Sequence, residues 1–159
     1  MTIELAPLPT DEVRALVGEL EQMLSADYEC HQRHGLSIDG IFQPHVRFFI
    51  ARADDGTAIG CGGVASFDGF AEVKRMYVRP AFRGRGFARA LLARIEAEAR
   101  ELGHTLLRLE TGDRLFDAMR LYERAGFHPC PAFGEYAAME PHRIEASRFY
   151  EKILDRTLQ

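Results

Sequence analysis

The chain has 159 residues, 47% of them hydrophobic, and a formal net charge of −4. This length suits one domain, so we predict a single domain over residues 1–159. The acidic balance argues against nucleic acid as a partner, and no apolar run approaches the roughly 18 residues that span a bilayer. The N-terminus has neither a basic start nor an apolar signal core, and the three cysteines are far apart. We therefore expect a cytoplasmic protein with free thiols.

The first half of the chain predicts a helix followed by antiparallel strands. A short strand at Thr2–Ala6 precedes a helix over Asp11–Ser25, which Thr10 caps and whose apolar residues recur at helical spacing. The polar stretch 27–44 is expected to hold a second short helix and a loop. Three strands joined by glycine-containing turns follow, at Val46–Ala53, Ala58–Ser66 and Ala71–Val78.

The second half alternates helices and strands. A strong amphipathic helix is predicted over Gly84–Leu102 and a second helix over Arg114–Ala125. The remaining strands are predicted at Thr105–Glu110, Phe127–Cys130 and Ser147–Leu154, the last two being joined by a proline-rich loop. Hairpins first and a β-α-β crossover later indicate an α/β (α+β) domain built on a mixed sheet.

An arginine-rich segment lies where a strand passes into the longest helix. Six arginines and no acid occur between Arg75 and Arg94, and residues 83–88 read Arg-Gly-Arg-Gly-Phe-Ala. The first amides of a helix have no partner within it, and the helix dipole adds positive charge, so a pyrophosphate would bind here. Glycines allow close approach of the backbone. The alternatives are a solvated basic face and a merely flexible turn.

Two motifs in this order resemble the GNAT family of N-acetyltransferases. Arg83-x-x-Gly86-x-Ala88 matches the family's phosphate-loop signature, and the segment 118–127 is similar to its later Leu-Tyr-x-x-x-Gly-Phe element. The resemblance, which covers roughly residues 46–130, implies the GNAT fold, a central mixed sheet flanked by helices. It also implies an enzyme that transfers an acetyl group from acetyl-coenzyme A to a primary amine of a small molecule or peptide, in a family where homodimers are common. A non-catalytic coenzyme A sensor or regulatory module and an anion- or nucleic-acid-binding domain remain as alternatives.

The resemblance also implies how the co-substrate is held. The backbone of Met76, Tyr77 and Val78 would pair with the pantetheine arm. The pyrophosphate would be held by one continuous segment with its arginines: Arg83, Gly84, Arg85, Gly86, Phe87, Ala88 and Arg89. One position departs from the family pattern, because Leu115 stands where many members carry an asparagine that binds the pantetheine arm.

Three catalytic candidates follow from the same resemblance. Tyr122 matches the tyrosine that protonates the leaving thiolate, although its helical spacing also suits a core aromatic. Glu72 aligns with the base of the histone-modifying branch, and Glu110 with that of the branch acting on protein N-termini. We favour Glu72 over Glu110, and the absence of a dedicated base is a third alternative. Both glutamates could instead be surface carboxylates paired with an arginine such as Arg75 or Arg108.

The acceptor pocket is expected between the early variable segment and the late loop. Its candidate lining is Tyr28, Glu29, His31, His34, Phe42 and Tyr136. The acids Asp27, Glu29, Asp39 and Asp68 would suit a cationic amine, or simply be soluble loop residues. A covalent route through Cys61 would need a paired base, and His31 with His34 lacks a third ligand, so we expect neither a thioester intermediate nor a metal.

Overall fold

The computed structural model describes residues 1–155, and the elements follow the predicted order. Seven strands are present: β1 (Thr2–Leu5), β2 (Val46–Arg52), β3 (Ala58–Phe67), β4 (Phe70–Val78), β5 (Leu106–Gly112), β6 (His128–Pro129) and β7 (Ser147–Ile153). The α-helices are α1 (Asp11–Ser25), α2 (Ile38–Ile41), α3 (Phe87–Glu101), α4 (Phe116–Arg124) and α5 (Pro141–Ile144). Short 3₁₀ helices occur at Cys30–Gln32, Pro80–Phe82 and Gly134–Ala138. None of the helices within residues 1–155 has the length and apolarity needed to cross a membrane.

The strands form one mixed sheet in the order β1-β2-β3-β4-β5-β7-β6. Its only parallel neighbours in the described chain are β4 and β5, and they pair only at Ala71 with Leu107 and at Glu72 with Arg108. Beyond Glu72, β4 continues to Val78 without a partner on its β5 side. The two strands therefore diverge, and their backbone groups in the gap are free to bind something other than each other.

A β-bulge in β4 sets which side chains face the gap. Gly63 pairs with Lys74 while Cys61 pairs with Tyr77, so two residues of β4 stand opposite Gly62 alone. Arg75 adopts the left-handed conformation there, with φ of 55°. Because side chains alternate along a regular strand, this extra residue is what allows Val73 and Val78 to pack in the same cluster with α3.

Helices cover both faces of the sheet. On one face α3 packs Leu91, Leu92 and Ile95 against β2, β3 and β4. On the other face α1 packs Val13, Leu16 and their neighbours against Phe48, Ile50 and Tyr77. Thr10 caps α1 as predicted, its Oγ1 accepting a hydrogen bond from the Val13 amide. Both layers end beside the gap between β4 and β5.

Two predicted helix starts are wrong, and the backbone explains both. Helix α3 begins at Phe87 rather than Gly84, because Gly84 and Gly86 have φ of 77° and 84° and lie outside the helical region. Helix α4 begins at Phe116 rather than Arg114, since Leu115 has a ψ of 67°. The proline-rich loop is also more ordered than predicted: it contains the third 3₁₀ helix and α5.

Candidate active site

The turn before α3 offers an uninterrupted run of free amides. Within residues 1–155 the N–H groups of residues 84–89 have no hydrogen-bond acceptor, since the first helical bond runs from the Ala90 amide to the Gly86 carbonyl. No side chain caps α3 and no acid lies in its first turn. A Cβ on Gly84 or Gly86 would meet nothing within 4 Å. These glycines are therefore required by the left-handed backbone, not by lack of space, and the segment can surround an anion.

A long basic cleft of about 1180 Å³ runs from this turn along the gap between β4 and α4. Met76, Tyr77 and Val78 line the cleft. Six of the seven predicted loop residues complete that wall, all except Arg85: they are Arg83, Gly84, Gly86, Phe87, Ala88 and Arg89. On the opposite side of the cleft the sequence analysis missed three further arginines, Arg114 just before α4 and Arg120 and Arg124 within it. A cleft with five arginines suits a ligand with several phosphates.

The other arginines of the basic segment have structural partners. Arg79 forms a salt bridge with Glu19 at 2.9 Å, and Arg94 pairs with Glu98 at 2.9 Å while lying over the Phe49 ring. The acids that neutralise them come from α1 and from the later part of α3. The local sequence, which contains no acid, therefore overstates the positive charge of this surface. The arginines of the basic segment that have no acidic partner within residues 1–155 lie around the turn.

A second, smaller cavity of about 130 Å³ lies between α1, the 3₁₀ helix at Cys30–Gln32 and the diverging ends of β4 and β5. It shares four lining residues with the basic cleft: Met23, Met76, Leu115 and Tyr122. The two spaces therefore meet at Tyr122. One is large and basic, and the other is small and lined mostly by side chains.

Tyr122 is both a packed core aromatic and a residue that lines the two cavities. Its side chain is only 6% exposed and packs edge-on against Phe127 in the core cluster. Its hydroxyl nevertheless has no hydrogen-bond partner within residues 1–155, and the residue lines both cavities. Burial, with the nearby Glu110 charge, raises the pKa of the Tyr122 phenol. At neutral pH it is therefore a protonated donor.

Glu110 lies in the small cavity with a perturbed acidity. Its carboxylate accepts a hydrogen bond of 2.6 Å from the Ser147 hydroxyl. Burial raises the pKa of Glu110 to about 7, and the Ser147 hydrogen bond only partly offsets that effect. A carboxylate with a pKa near the working pH can take a proton from a substrate and release it again.

Glu72 lies elsewhere, although the sequence analysis favoured it. It is 4% exposed and lines neither cavity. Its Oε2 accepts a 2.7 Å hydrogen bond from the Tyr136 hydroxyl and lies 2.9 Å from the Lys74 ammonium. The expectation of a surface carboxylate paired with Arg75 or Arg108 is wrong for Glu72, whose partner is a buried lysine. It is also wrong for Glu110, which bonds Ser147.

The predicted lining of the acceptor pocket is only partly correct. Tyr28 and His34 line the small cavity, whereas Phe42 packs on Phe48 in the core and Tyr136 is engaged with Glu72. Glu29 and His31 are not in the lining, and neither is any of the other proposed acids, Asp27, Asp39 and Asp68. The cavity presents Arg33 and Arg75 instead. The sequence analysis missed these two as cavity residues.

Comparison with known proteins places the chain in a family. The family model for the acetyltransferase (GNAT) family matches residues 14–127. An IAA acetyltransferase of Azospirillum brasilense is 41% identical over 79% of this chain and 83% of its own. The chain belongs to the acetyltransferase (GNAT) family. It is thus an N-acetyltransferase, and acetyl-coenzyme A is its co-substrate.

Solved structures agree with this assignment. A Klebsiella pneumoniae protein assigned to the acyl-CoA N-acyltransferases superposes with a TM-score of 0.77 at 34% identity, over 97% of both chains. An N-acetyltransferase of Thermoplasma acidophilum, solved with coenzyme A, superposes with a TM-score of 0.69 over 96% of this chain and 99% of its own. At 18% sequence identity, this superposition shows that the two proteins share a fold.

The thiol of Cys61 is unsuited to carry the acetyl group in this acetyltransferase. Cys61 is fully buried in β3, and its Sγ lies 3.4 Å from the Arg75 carbonyl. Burial raises the pKa of the Cys61 thiol to about 12, so the thiolate needed for nucleophilic attack is scarce at neutral pH. A covalent route through Cys61 is therefore disfavoured.

Proposed function

We propose that this acetyltransferase moves the acetyl group directly from acetyl-coenzyme A to a primary amine, and that the transfer takes place beside Tyr122. The observation that carries the proposal is the meeting of the two cavities at that residue. The amine enters from the small cavity and the thioester from the basic cleft. Residues 84–89 hold the pyrophosphate through their free amides. The stretch of β4 at Met76–Val78, which has no strand partner on its β5 side, pairs with the pantetheine arm.

Glu110 is the proposed base. An alkylammonium has a pKa of about 10.4 and cannot attack until it loses a proton. Glu110 lines the cavity that would hold the amine, whereas Glu72 is bonded to Tyr136 and Lys74 and does not reach it. Glu110 is therefore a better candidate for the base than Glu72. The proton passes from the amine to Glu110, directly or through one water molecule.

Tyr122 is the proposed acid. As nitrogen forms its bond to the carbonyl carbon, the carbon–sulfur bond breaks and the thiolate takes the phenolic proton. The proton that the new amide nitrogen then loses returns to the Tyr122 phenolate, directly or through water. The Tyr122 hydroxyl is suited to this step because nothing within residues 1–155 already accepts its hydrogen bond. A β4 amide near Met76 would stabilise the charge that develops on the carbonyl oxygen.

The direct test measures coenzyme A release with a thiol-trapping reagent and a panel of primary amines. We expect amine-dependent release with stoichiometric N-acetyl product. Release without any acylated amine, or none while acetyl-coenzyme A binds tightly, would favour a non-catalytic binding module instead.

We further propose that the chain works as a single domain in the cytoplasm. One continuous sheet joins the first and seventh strands, and Cys30, Cys61 and Cys130 are all free thiols, which supports a reducing compartment. A homodimer remains a prediction, which the solution mass would test.

A further inference from the structure

The charged residues that line the small cavity are two arginines and one glutamate, namely Arg33, Arg75 and Glu110. His34 adds no positive charge, because burial lowers the pKa of its imidazole. The two guanidinium groups share a single carboxylate, that of Glu21, which lies outside the lining. The part of the cavity lined by Arg33 and Arg75 therefore carries an excess positive charge.

Arg75 is held rigidly in this position. Its side chain is only 5% exposed; Nε donates to the Leu36 carbonyl at 2.8 Å and Nη1 pairs with Glu21. The backbone supports the placement through the left-handed bulge at Arg75 itself and through Gly35, where a Cβ would lie 2.2 Å from the Arg75 Cζ. The left-handed conformation of Arg75 is strained, and the position that faces its guanidinium has room only for glycine. Together these features hold the Arg75 guanidinium against the backbone of Gly35.

Arg33 has an unused donor. Its Nη1 bonds Glu21 at 2.7 Å, but its Nε is buried and has no hydrogen-bond partner within residues 1–155. A buried donor without a partner is unfavourable. Because this Nε has almost no exposed surface, an acceptor atom of a ligand removes that cost only when the Arg33 side chain turns toward the cavity. A planar carboxylate that bridges two guanidinium groups is the simplest such ligand.

We propose that the acceptor is a small amino acid, with its carboxylate bound by Arg75 and Arg33 and its amine beside Glu110 and Tyr122. This inference rests on the proposed function. The size of the cavity, about 130 Å³, favours a compact acceptor over the drug-sized ligands of roughly 300–1,000 Å³ pockets. The predicted acidic lining for a cationic amine is replaced by a lining that suits a zwitterion.

The first experiment compares matched acceptors with the wild-type enzyme and acetyl-coenzyme A. The panel is the twenty common L-amino acids and β-alanine, each beside its primary amide and its decarboxylated amine. We expect at least one amino acid to exceed its own amide and amine in kcat/KM by about tenfold or more, the effect of a hydrogen-bonded charge pair. Equal or faster acetylation of amides and amines would overturn the inference and leave the proposed function intact.

The second experiment separates the arginines from general folding effects. Arg75→Gln should raise KM for the preferred amino acid by about tenfold or more and bring its rate close to that of the amide, with the affinity for acetyl-coenzyme A unchanged. Arg33→Gln, at a less buried site, should act in the same direction if Arg75→Gln folds poorly. Arg47→Gln is the control, since Arg47 is 49% exposed on β2. An unchanged preference in both cavity variants would overturn the inference.

A binding arm keeps the outcomes distinct if no amine is acetylated. Melting temperature is measured with coenzyme A present and each amino acid or amide added. A rise with amino acids only, lost in Arg33→Gln, would support the carboxylate site even though the proposed function had failed. No rise with any amino acid, together with no acetylation, would overturn both.

Discussion

The two cavities that meet at Tyr122 are built in different ways. The basic cleft begins at one continuous segment, whose ligand-binding groups are the main-chain amides of residues 84–89. The small cavity is built from side chains far apart in sequence, among them Arg33, Arg75 and Glu110. A site made of main-chain groups depends on backbone conformation, whereas a site made of side chains depends on which residues the fold brings together. The first suits a constant co-substrate and the second a particular acceptor.

Replacing the base should have the largest effect on the reaction. Glu110→Gln should lower kcat/KM by about 10²–10⁴-fold, the range of general base catalysis. It should also remove the rise in rate that we expect of the wild type as pH passes through about 7. Glu72→Gln is the matched comparison and should cost less than about tenfold. Steady-state kinetics from pH 5.5 to 9 tests both; the reverse ranking would restore Glu72 as the base.

Replacing the acid should have the next largest effect. Tyr122→Phe keeps the packing against Phe127 but removes the proton donor, so kcat should fall about 10²-fold while the affinity for acetyl-coenzyme A stays the same. Tyr150→Phe is a suitable control, because the Tyr150 hydroxyl bonds Glu123 and lines neither cavity. Near-wild-type turnover of Tyr122→Phe would leave Tyr122 with a packing role alone.

The main-chain site can be tested with two equally strained glycines. Gly86 and Gly69 both have φ of 84°, and a Cβ on either meets nothing within 4 Å. Alanine at either position should cost roughly 1–2 kcal/mol in stability. Only Gly86→Ala should weaken acetyl-coenzyme A binding, by about tenfold, because it alone disturbs the turn before α3. Calorimetric titration of both variants tests this; equal affinities would argue against binding by the turn.

The smallest expected effect concerns stability and pH. Folding raises the pKa of Glu110 from 4.5 to about 7, so the folded chain holds a proton that the unfolded chain releases between those values. This contribution to stability is present below pH 4.5 and lost as pH rises to about 7. Glu110→Gln should therefore become more stable than wild type above pH 7, on the order of 1 kcal/mol after allowing for partial exposure. A difference independent of pH in denaturant titrations would contradict the assignment.

The sequence was sufficient to predict the order of the elements, the mixed sheet and the glycine-containing turn before α3, because each depends on local patterns. Thr10 as a cap and Gly86 before α3 are examples. It misplaced the start of α3, since propensity alone does not show that Gly84 and Gly86 are left-handed. It could not rank Glu72 against Glu110, because the burial of Glu72 depends on Lys74 and on Tyr136, which is 64 residues away.

The role of Arg75 shows the same limit. In the sequence it belongs to a basic run, yet its partners Leu36 and Glu21 come from other elements. The direction of its side chain is set by a β-bulge in which Arg75 has a φ of 55°, and the residue type at that position does not predict this conformation. The sequence groups Arg75 with the arginines of the predicted phosphate-binding segment, whereas the three-dimensional structure places it in the small cavity.

Hydrogen exchange of the individual amides, followed by NMR, tests the central claim most directly. The account predicts that the amides of residues 84–89 exchange rapidly in the free enzyme and become protected when acetyl-coenzyme A is added, while the Gly69 turn is unchanged. Saturating acetyl-coenzyme A that leaves all six amides as exposed as before would show that the co-substrate binds elsewhere, and would contradict the account.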